Sequence, residues 1–317
     1  MVLDEQRRRR QKRRNQAQAL LLFGGMVAIL GGLAWLLFGP FGVVWAFVLG
    51  SVALALPPSM PPGWQLSMYG ARPLPPAAAP GLHRAVRLLA ERAGLPRSPS
   101  VHYVSSPMMN AFAVGRRDDA AIALTDGLLR GLADRELLGV LAHELAHVRA
   151  DDLWIMNLSD TLARVSHALA YTGMFVLVLA LPSTVDGALA LPAVALLLML
   201  APTLMTLLQL ALSRAREYDA DLEAVALTGD PLGLAAALQR LERREGRIWE
   251  RTMVPHRRSP DPLLLRTHPP TAERVRRLRE LRPAQLGVPR LEPPTFRNRR
   301  ADPAPRPVRL RPPGIRW

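Results

Sequence analysis

Residues 136–152 read Glu136-Leu-Leu-Gly-Val-Leu-Ala-His143-Glu144-Leu-Ala-His147-Val-Arg-Ala-Asp151-Asp152. Leu137, Leu138, Leu141 and Leu145 recur at helical spacing, so the segment predicts a helix with one apolar face. His143 and His147 are four residues apart and lie on one face, about one turn from each other. That spacing lets both imidazoles reach one tetrahedral zinc at about 2.0–2.1 Å. Glu144 falls on a neighbouring flank, where its carboxylate stands beside a zinc-bound water rather than on the metal. Zinc lowers the pKa of that water to near 7, and the glutamate takes its proton as general base. A four-residue spacing also arises by chance; the apolar, strongly helical frame argues against chance here.

A third ligand is at hand in Ser213-Arg-Ala-Arg-Glu217-Tyr-Asp-Ala-Asp221. A glutamate from a second helix, Glu217, completes a His2Glu set with one zinc per chain and leaves the fourth position open, as catalytic rather than structural sites do. Asp221, one turn beyond Glu217, is placed to fix a histidine ring by accepting its outer N–H, and Asp151 is a second candidate for the same task.

Two apolar regions flank these motifs. Ala19–Phe38 carries no ionisable group and spans about 30 Å as a helix, the thickness of a bilayer core. After Gly39-Pro40, Phe41–Leu56 continues the apolar run. The basic stretch before it resembles a signal-peptide n-region, but the apolar run is too long for one and a second run follows directly. A further pair, Val165–Leu181 and Ala188–Leu212, is separated by a break at Pro182–Gly187. The competing reading, a buried soluble helix pair, leaves unexplained a run with no polar face.

The chain has 317 residues and a net charge of +15, which raises nucleic acid as a partner. Its distribution points elsewhere. No Lys or Arg occurs between Arg14 and Arg72 or between Arg164 and Arg214, so two hairpins place all 41 basic residues on one side. The positive-inside rule makes that side the cytoplasm, with the charge facing anionic lipid headgroups. Aromatic residues are 5% of the chain, too few for base-stacking platforms. The absence of cysteine removes thiol nucleophiles, disulfide scaffolds and thiolate metal sites.

Between and beyond these parts, 57–80 reads as a Pro- and Ala-rich linker. Gly81–Gly94 has helical periodicity, and β-type segments follow at Ser100–Val104, Asn110–Val114 and Ala120–Leu124. Helical patterns resume near Gly127 and Asp134. From Arg282 the Pro- and Arg-rich tail lacks the apolar residues to fold alone and is expected extended or disordered.

Taken together, 89–96 (LAERAGLP), 110–115 (NAFAVG), 124–132 (LTDGLLRGL), 136–152, 213–221 and 265–278 (LRTHPPTAERVRRL) resemble the HtpX-type integral-membrane zinc metalloproteases, the broad family that includes the CAAX prenyl proteases. The resemblance implies a gluzincin-type fold with the second membrane hairpin inserted between the HELAH helix and the third-ligand helix. It implies His143, His147 and Glu217 as ligands, Glu144 as base, Asp221 behind a histidine, and quality-control proteolysis of membrane or misfolded proteins. Asn110, Ala111, Phe112 and Ala113 lie in a segment whose small residues leave backbone accessible. It is either an edge strand that pairs with extended substrate or an ordinary hairpin strand. His268 in Thr-His-Pro-Pro is placed either to stabilise an oxyanion or to orient a loop. Arg274 is a candidate partner for a site carboxylate, while His83, His102, His167 and His256 have no partners at ligand spacing.

The expected fold is an α-helical membrane protein with four transmembrane helices in two hairpins and an α+β zincin-like catalytic domain containing a small antiparallel sheet. Its division runs 1–18 basic N-terminus, 19–56 first hairpin, 57–80 linker, 81–164 first catalytic part, 165–212 second hairpin, 213–281 second catalytic part, and 282–317 tail. The expected function is zinc-dependent endoproteolysis at the cytosolic face of the cell (inner) membrane, with protein substrates, lipid bilayer as surroundings and no nucleic-acid partner. The rival readings are a non-catalytic membrane scaffold with a structural zinc and a prenyl-protein processing enzyme.

Overall fold

A computed structural model describes residues 2–55, 61–180, 190–251, 271–281 and 289–296. In chain order the elements are α1 (Val2–Ala55), α2 (Pro62–Met68), β1 (Arg72–Pro73), α3 (Pro80–Ala93), β2 (Ser100–Val104), β3 (Ala111–Val114), β4 (Ala121–Thr125), α4 (Asp126–Gly131), α5 (Asp134–Arg149), α6 (Asp152–Ala180), α7 (Ala190–Thr228), α8 (Pro231–Arg251) and α9 (Thr271–Glu280). His256, His268, the break at Pro182–Gly187 and the tail from Arg297 lie outside the described residues.

Helices α1, α6 and α7 form one bundle. Met26 of α1, Ala163 of α6, and Met205 and Leu212 of α7 make one buried cluster; Leu33, Leu198 and Ala201 make a second along the same seam. The opposite faces stay apolar and exposed, with Leu21, Phe38 and Phe47 on α1, Phe175 on α6, and Leu197 and Met199 on α7. A water-facing bundle does not leave so much contiguous apolar surface uncovered. Two helical stretches, Ala17–Val48 and Val194–Thr228, are long and apolar enough to cross a membrane. The first includes Gly39, whose φ of 62° and ψ of −153° interrupt the helix directly before Pro40. Along the α6–α7 seam, Gln209 donates to Asp160 at 3.3 Å and His167 approaches Thr206 at 3.4 Å. Polar side chains within the bundle thus meet each other rather than the apolar surroundings.

The remaining elements build a domain on α5. Its face of Leu137, Leu138, Leu141 and Leu145 packs against α3 (Leu82, Val86, Leu89), the sheet (Ile122, Leu124) and α8 (Leu234, Ala237). Helix α8 lies very close: a Cβ on Gly139 would stand 3.0 Å from the Leu234 Cα, so the crossing requires glycine. At the N-terminus of α5, Glu136 accepts from the Ala133 N–H at 2.8 Å. Helix α3 ends at Gly94 in the left-handed conformation, φ 66°, where no Cβ opposes it.

The sheet has four strands in the order β1-β2-β4-β3, and it is mixed rather than antiparallel. β2 runs parallel to β4, pairing Ser100 with Ala121 through Val104 with Thr125. Three short strands in succession suggest an antiparallel meander. Here, however, the chain passes from β2 to the far edge as β3, then returns by a tight loop into the middle as β4. That loop is held by Asp119 accepting from the Arg116 N–H at 2.7 Å, and it starts at Gly115 with φ 86°. β3 is therefore an edge strand.

Two further segments differ from expectation. The stretch read as linker contains α2 and β1, because Leu66 buries against Phe112 and Val114 on the outer face of the sheet. Within the tail, Leu291 is buried, and its N–H donates to the Thr228 carbonyl at 2.8 Å. The extended 289–296 stretch borrows the domain's core rather than making its own.

Asp230 fastens the junction of α7, α8 and α5. Its carboxylate accepts from the Gly233 N–H at 3.1 Å as the cap of α8 and takes both Nε and Nη2 of Arg135 on α5. Burial pushes its pKa up, but Arg135 outweighs burial and holds it below the usual value. A carboxylate with a depressed folded pKa contributes stability above its unfolded pKa and loses it as pH falls through the folded one. Asp230→Ala is expected to destabilise the detergent-solubilised protein by about 1–3 kcal/mol at pH 7, read as a fall in melting temperature. Asp230→Asn should recover only the capping share, and the wild type should lose the same advantage on acidification below the carboxylate range.

Candidate metal centre and active site

Three helices converge on His143 and His147. The histidines come from α5, Glu217 and Asp221 from the end of α7, and Arg274 from α9. The Nε2 atoms of the two imidazoles face each other at 3.2 Å. Glu217 closes the triangle, with Oε2 at 3.4 Å from His143 Nε2 and Oε1 at 3.7 Å from His147 Nε2. All three residues are buried.

Each ring is held from behind. His143 Nδ1 lies 3.1 Å from Asp221 Oδ1, and His147 Nδ1 lies 3.1 Å from Asp152 Oδ2. Opposite a carboxylate Nδ1 carries the proton, which leaves both Nε2 lone pairs turned inward. Two acceptors at 3.2 Å repel unless a proton or a cation lies between them. For bonds of about 2.0–2.1 Å, neighbouring ligands of a tetrahedral zinc stand about 3.3–3.4 Å apart, close to the spacing found here.

The charge count agrees. Four carboxylates (Glu144, Asp152, Glu217 and Asp221) and two guanidiniums (Arg216 and Arg274) lie about the rings, so negative charge is in excess. A cation offsets it. Without one, burial opposes a charge on His143, yet Asp221 and Glu217 outweigh it and raise its pKa to about 9. His147 is pushed down by burial and by His143. Positive charge is therefore favoured at this cluster, on His143 rather than His147. The donor set fits a divalent metal, zinc above all, since it offers two imidazoles and one carboxylate.

Arg274 makes the densest set of contacts. Its Nε and Nη2 donate to the two oxygens of Asp221 at 2.7 and 2.6 Å, and Nη1 stands 2.9 Å from Glu217 Oε2. Burial raises the Asp221 pKa, but Arg274 outweighs it and keeps the carboxylate ionised. The structure thus gives Arg274 two carboxylate partners where its sequence suggested one.

Glu144 differs from its neighbours on α5 in being only half-buried. Its Oε2 accepts from the backbone N–H of Ala113 on β3 at 3.2 Å. That bond fixes the strand's orientation. Asn110 pairs with Thr125, donating to Oγ1 at 2.9 Å and accepting from the Thr125 N–H at 3.1 Å. In an antiparallel ladder the backbone then alternates, so Asn110 and Phe112 turn toward β4 while Ala111 and Ala113 turn outward, toward the site. The Phe112 side chain packs at a ring-centroid distance of 4.8 Å from Tyr69.

Asp151 is not brought to either histidine. It adopts φ 53° between α5 and α6 and faces Arg117 at 3.9 Å, near the surface. The carboxylate behind His147 is its neighbour Asp152, the first residue of α6, which is in turn ion-paired with the buried Arg216. Neither Asp152 nor Arg216 stood out in the sequence. The available signal was an acid five residues after the second histidine and an arginine beside Glu217. Among the other histidines, His83 lies 2.8 Å from the Leu74 carbonyl and His102 lies 3.1 Å from Ser100 Oγ.

Comparison with known proteins agrees with this chemistry. Residues 76–282 match the model of peptidase family M48. A "Protease HtpX homolog" from Kineococcus radiotolerans is 40% identical over 286 residues, covering 82% of this chain and 94% of that one. A protein of the same name from Acidiphilium cryptum is 43% identical over 246 residues, covering 70% and 80%. The crystal structure of S. mikatae Ste24p aligns with 85% of this chain and 66% of its own, at 22% identity and a TM-score of 0.43, too distant to carry argument. The family match over residues 76–282, with these relatives, shows that the chain belongs to peptidase family M48 and is a membrane metalloprotease, a hydrolase of peptide bonds.

Proposed function

We propose that the metal is zinc, one per chain, held by His143, His147 and Glu217, and that Glu144 is the general base of an endopeptidase working at the cytosolic face of the cell membrane. One observation carries this reading. Two inward-turned imidazole nitrogens and a carboxylate stand at tetrahedral spacing, with a half-exposed glutamate beside them. A structural zinc site closes its fourth position and has no use for that glutamate. Supporting the topology are the two membrane-length helices and the clustering of every basic residue outside the apolar stretches. On this reading the segments 19–38, 41–56, 165–181 and 188–212 make four spans in two hairpins.

Held by His143, His147 and Glu217, zinc would supply Lewis acidity to the scissile carbonyl and to water. The chain's own groups do the rest. Glu144 takes the proton of the attacking water and returns it to the leaving amine. Its bond to the Ala113 N–H aims the carboxylate beside the β3 edge. There the outward N–H and C=O groups of Ala111 and Ala113 receive an extended substrate segment as an added strand. Recognition through main chain gives broad sequence tolerance, which suits misfolded or membrane proteins as substrates. Glu217 stands five residues beyond Leu212, about 7.5 Å along α7, so the site lies close to the membrane surface. His268, outside the described residues, keeps both readings, oxyanion stabilisation or loop orientation.

Cleavage of an unstructured protein by detergent-purified wild type and Glu144→Gln, with zinc assayed on both, tests the site. Both proteins are expected to hold about one zinc per chain, and the variant to lose at least a hundredfold in kcat. Zinc binding without cleavage by either protein would favour the structural-zinc scaffold. Cleavage confined to prenylated peptides would favour the processing enzyme. The strand-edge assignment predicts that Ala111→Pro, which removes one outward N–H, lowers kcat/KM on protein substrates about five- to tenfold with zinc content unchanged. An unaltered kcat/KM would return β3 to a purely structural role.

A further inference from the structure

Arg216 is almost wholly buried and touches neither a ligand atom nor the substrate edge. It is the residue before Glu217 on α7, so about 100° of helical rotation turns it away from the metal position and toward the start of α6. There its Nη2 pairs with Asp152 Oδ1. The other oxygen of Asp152, Oδ2, stands 3.1 Å from His147 Nδ1. Side-chain exposures along this chain are 9% for Arg216, 1% for Asp152 and 9% for His147, so water competes for none of the contacts.

We infer that Arg216 is a positioning residue for the metal centre, acting through Asp152 to lock the His147 ring with Nε2 toward the metal. A carboxylate that is 1% exposed keeps one orientation when both its oxygens are engaged, and here one meets Arg216 and the other His147 Nδ1. Arg216 supplies a full charge, and the N-terminus of α6, where Asp152 sits, supplies a partial one. With Oδ1 engaged by Arg216, Oδ2 of Asp152 faces His147 Nδ1 and accepts its N–H, which turns the lone pair of Nε2 toward the metal position. Without Arg216 the carboxylate is left buried beside the helix end alone. It is then free to turn away, and His147 loses its fixed orientation. The pair also joins the two helices of the second apolar region: Asp152 opens α6 and Arg216 lies near the end of α7. Correct seating of that helix pair is thereby required for a well-aimed ligand on α5.

The inference rests on His147 being a zinc ligand, and the experiment separates the two claims. Zinc affinity of the detergent-solubilised full chain is measured by competition with a chelator for wild type, His147→Ala, Asp152→Asn, Arg216→Met, Arg216→Lys and the Asp152→Asn/Arg216→Met double variant. Asp152→Asn and Arg216→Met are each expected to weaken zinc binding about 10- to 100-fold, and the double variant no more than the worse single one, since both break one chain of contacts. Arg216→Lys keeps the charge but lacks the guanidinium fork and should fall between, so it decides the matter if the Met variant does not fold. Excess zinc should restore kcat in these variants with KM unchanged, which a general loss of structure would not allow. Wild-type affinity in Arg216→Met and Arg216→Lys, or additive losses in the double variant, overturns the positioning role while leaving the ligand set intact. Undiminished zinc in His147→Ala overturns the ligand assignment itself.

Discussion

Two imidazole nitrogens that both present lone pairs across 3.2 Å repel one another, and the architecture around them exists to hold them there. Neither ring can be left to choose its own tautomer, because a proton at either Nε2 fills the place of the metal. Each ring is therefore backed by a carboxylate, each carboxylate by an arginine, and each arginine by burial. The result is two chains of contacts, Arg274–Asp221–His143 and Arg216–Asp152–His147, which meet at the two facing Nε2 atoms. The excess of negative charge around the rings suits a cation at their centre.

This arrangement also accounts for the way soluble and apolar parts interleave along the chain. Helix α5 is anchored by an apolar face in the soluble core and carries both histidines. The groups that complete and aim them come from the first residue of α6 and the last turns of α7, two helices whose other ends pack with α1 in an apolar bundle. The domain core sets where the histidines are, and the bundle sets where their partners are. Neither half makes a site alone. The apolar stretches of α6 and α7 therefore lie, in chain order, between the second histidine and Glu217, as part of what brings the cluster together. Along α7, Glu217 stands five residues, about 7.5 Å, beyond Leu212.

The parts of the site that sequence reveals are those fixed by a single helix. The i, i+4 pair His143/His147 needs only helical periodicity, and Glu217 with Asp221 needs only that a helix continue past the apolar run. What depends on chain reversal was hidden. Between α5 and α6 the backbone passes through Asp151 at φ 53°, and that one left-handed residue decides that Asp152, not Asp151, turns toward His147. Two adjacent aspartates are equivalent to any periodicity argument. The strands were legible as strands, each nearly at its true limits, but not as a mixed sheet, because β3's place at the edge is set by where Glu144 and α5 stand. Helix α2 went unread for a similar reason: seven residues in a Pro-rich stretch are helical because Leu66 finds the sheet, not because of their own propensity.

The buried Arg216–Asp152 pair marks the difference between stability and aim. Removing two charges from water costs several kcal/mol per ion, and apolar residues of similar size often fill such a space with no loss of stability. The pair is therefore a poor explanation for why α6 and α7 stay together; Met205, Leu212 and Ala163 explain that adequately. What no apolar substitute supplies is an anionic oxygen 3.1 Å from His147 Nδ1, held from the far side so that it cannot swing away. The same reasoning applies to Arg274 behind Asp221, with one difference. Arg274 also reaches Glu217 at 2.9 Å, so it restrains a ligand directly and lowers that ligand's negative charge toward the metal. Arg216 thus acts on the cluster through Asp152 alone, and Arg274 through Asp221 and Glu217 together. The centre is asymmetric in its supports although its two histidines occupy equivalent positions on one helix.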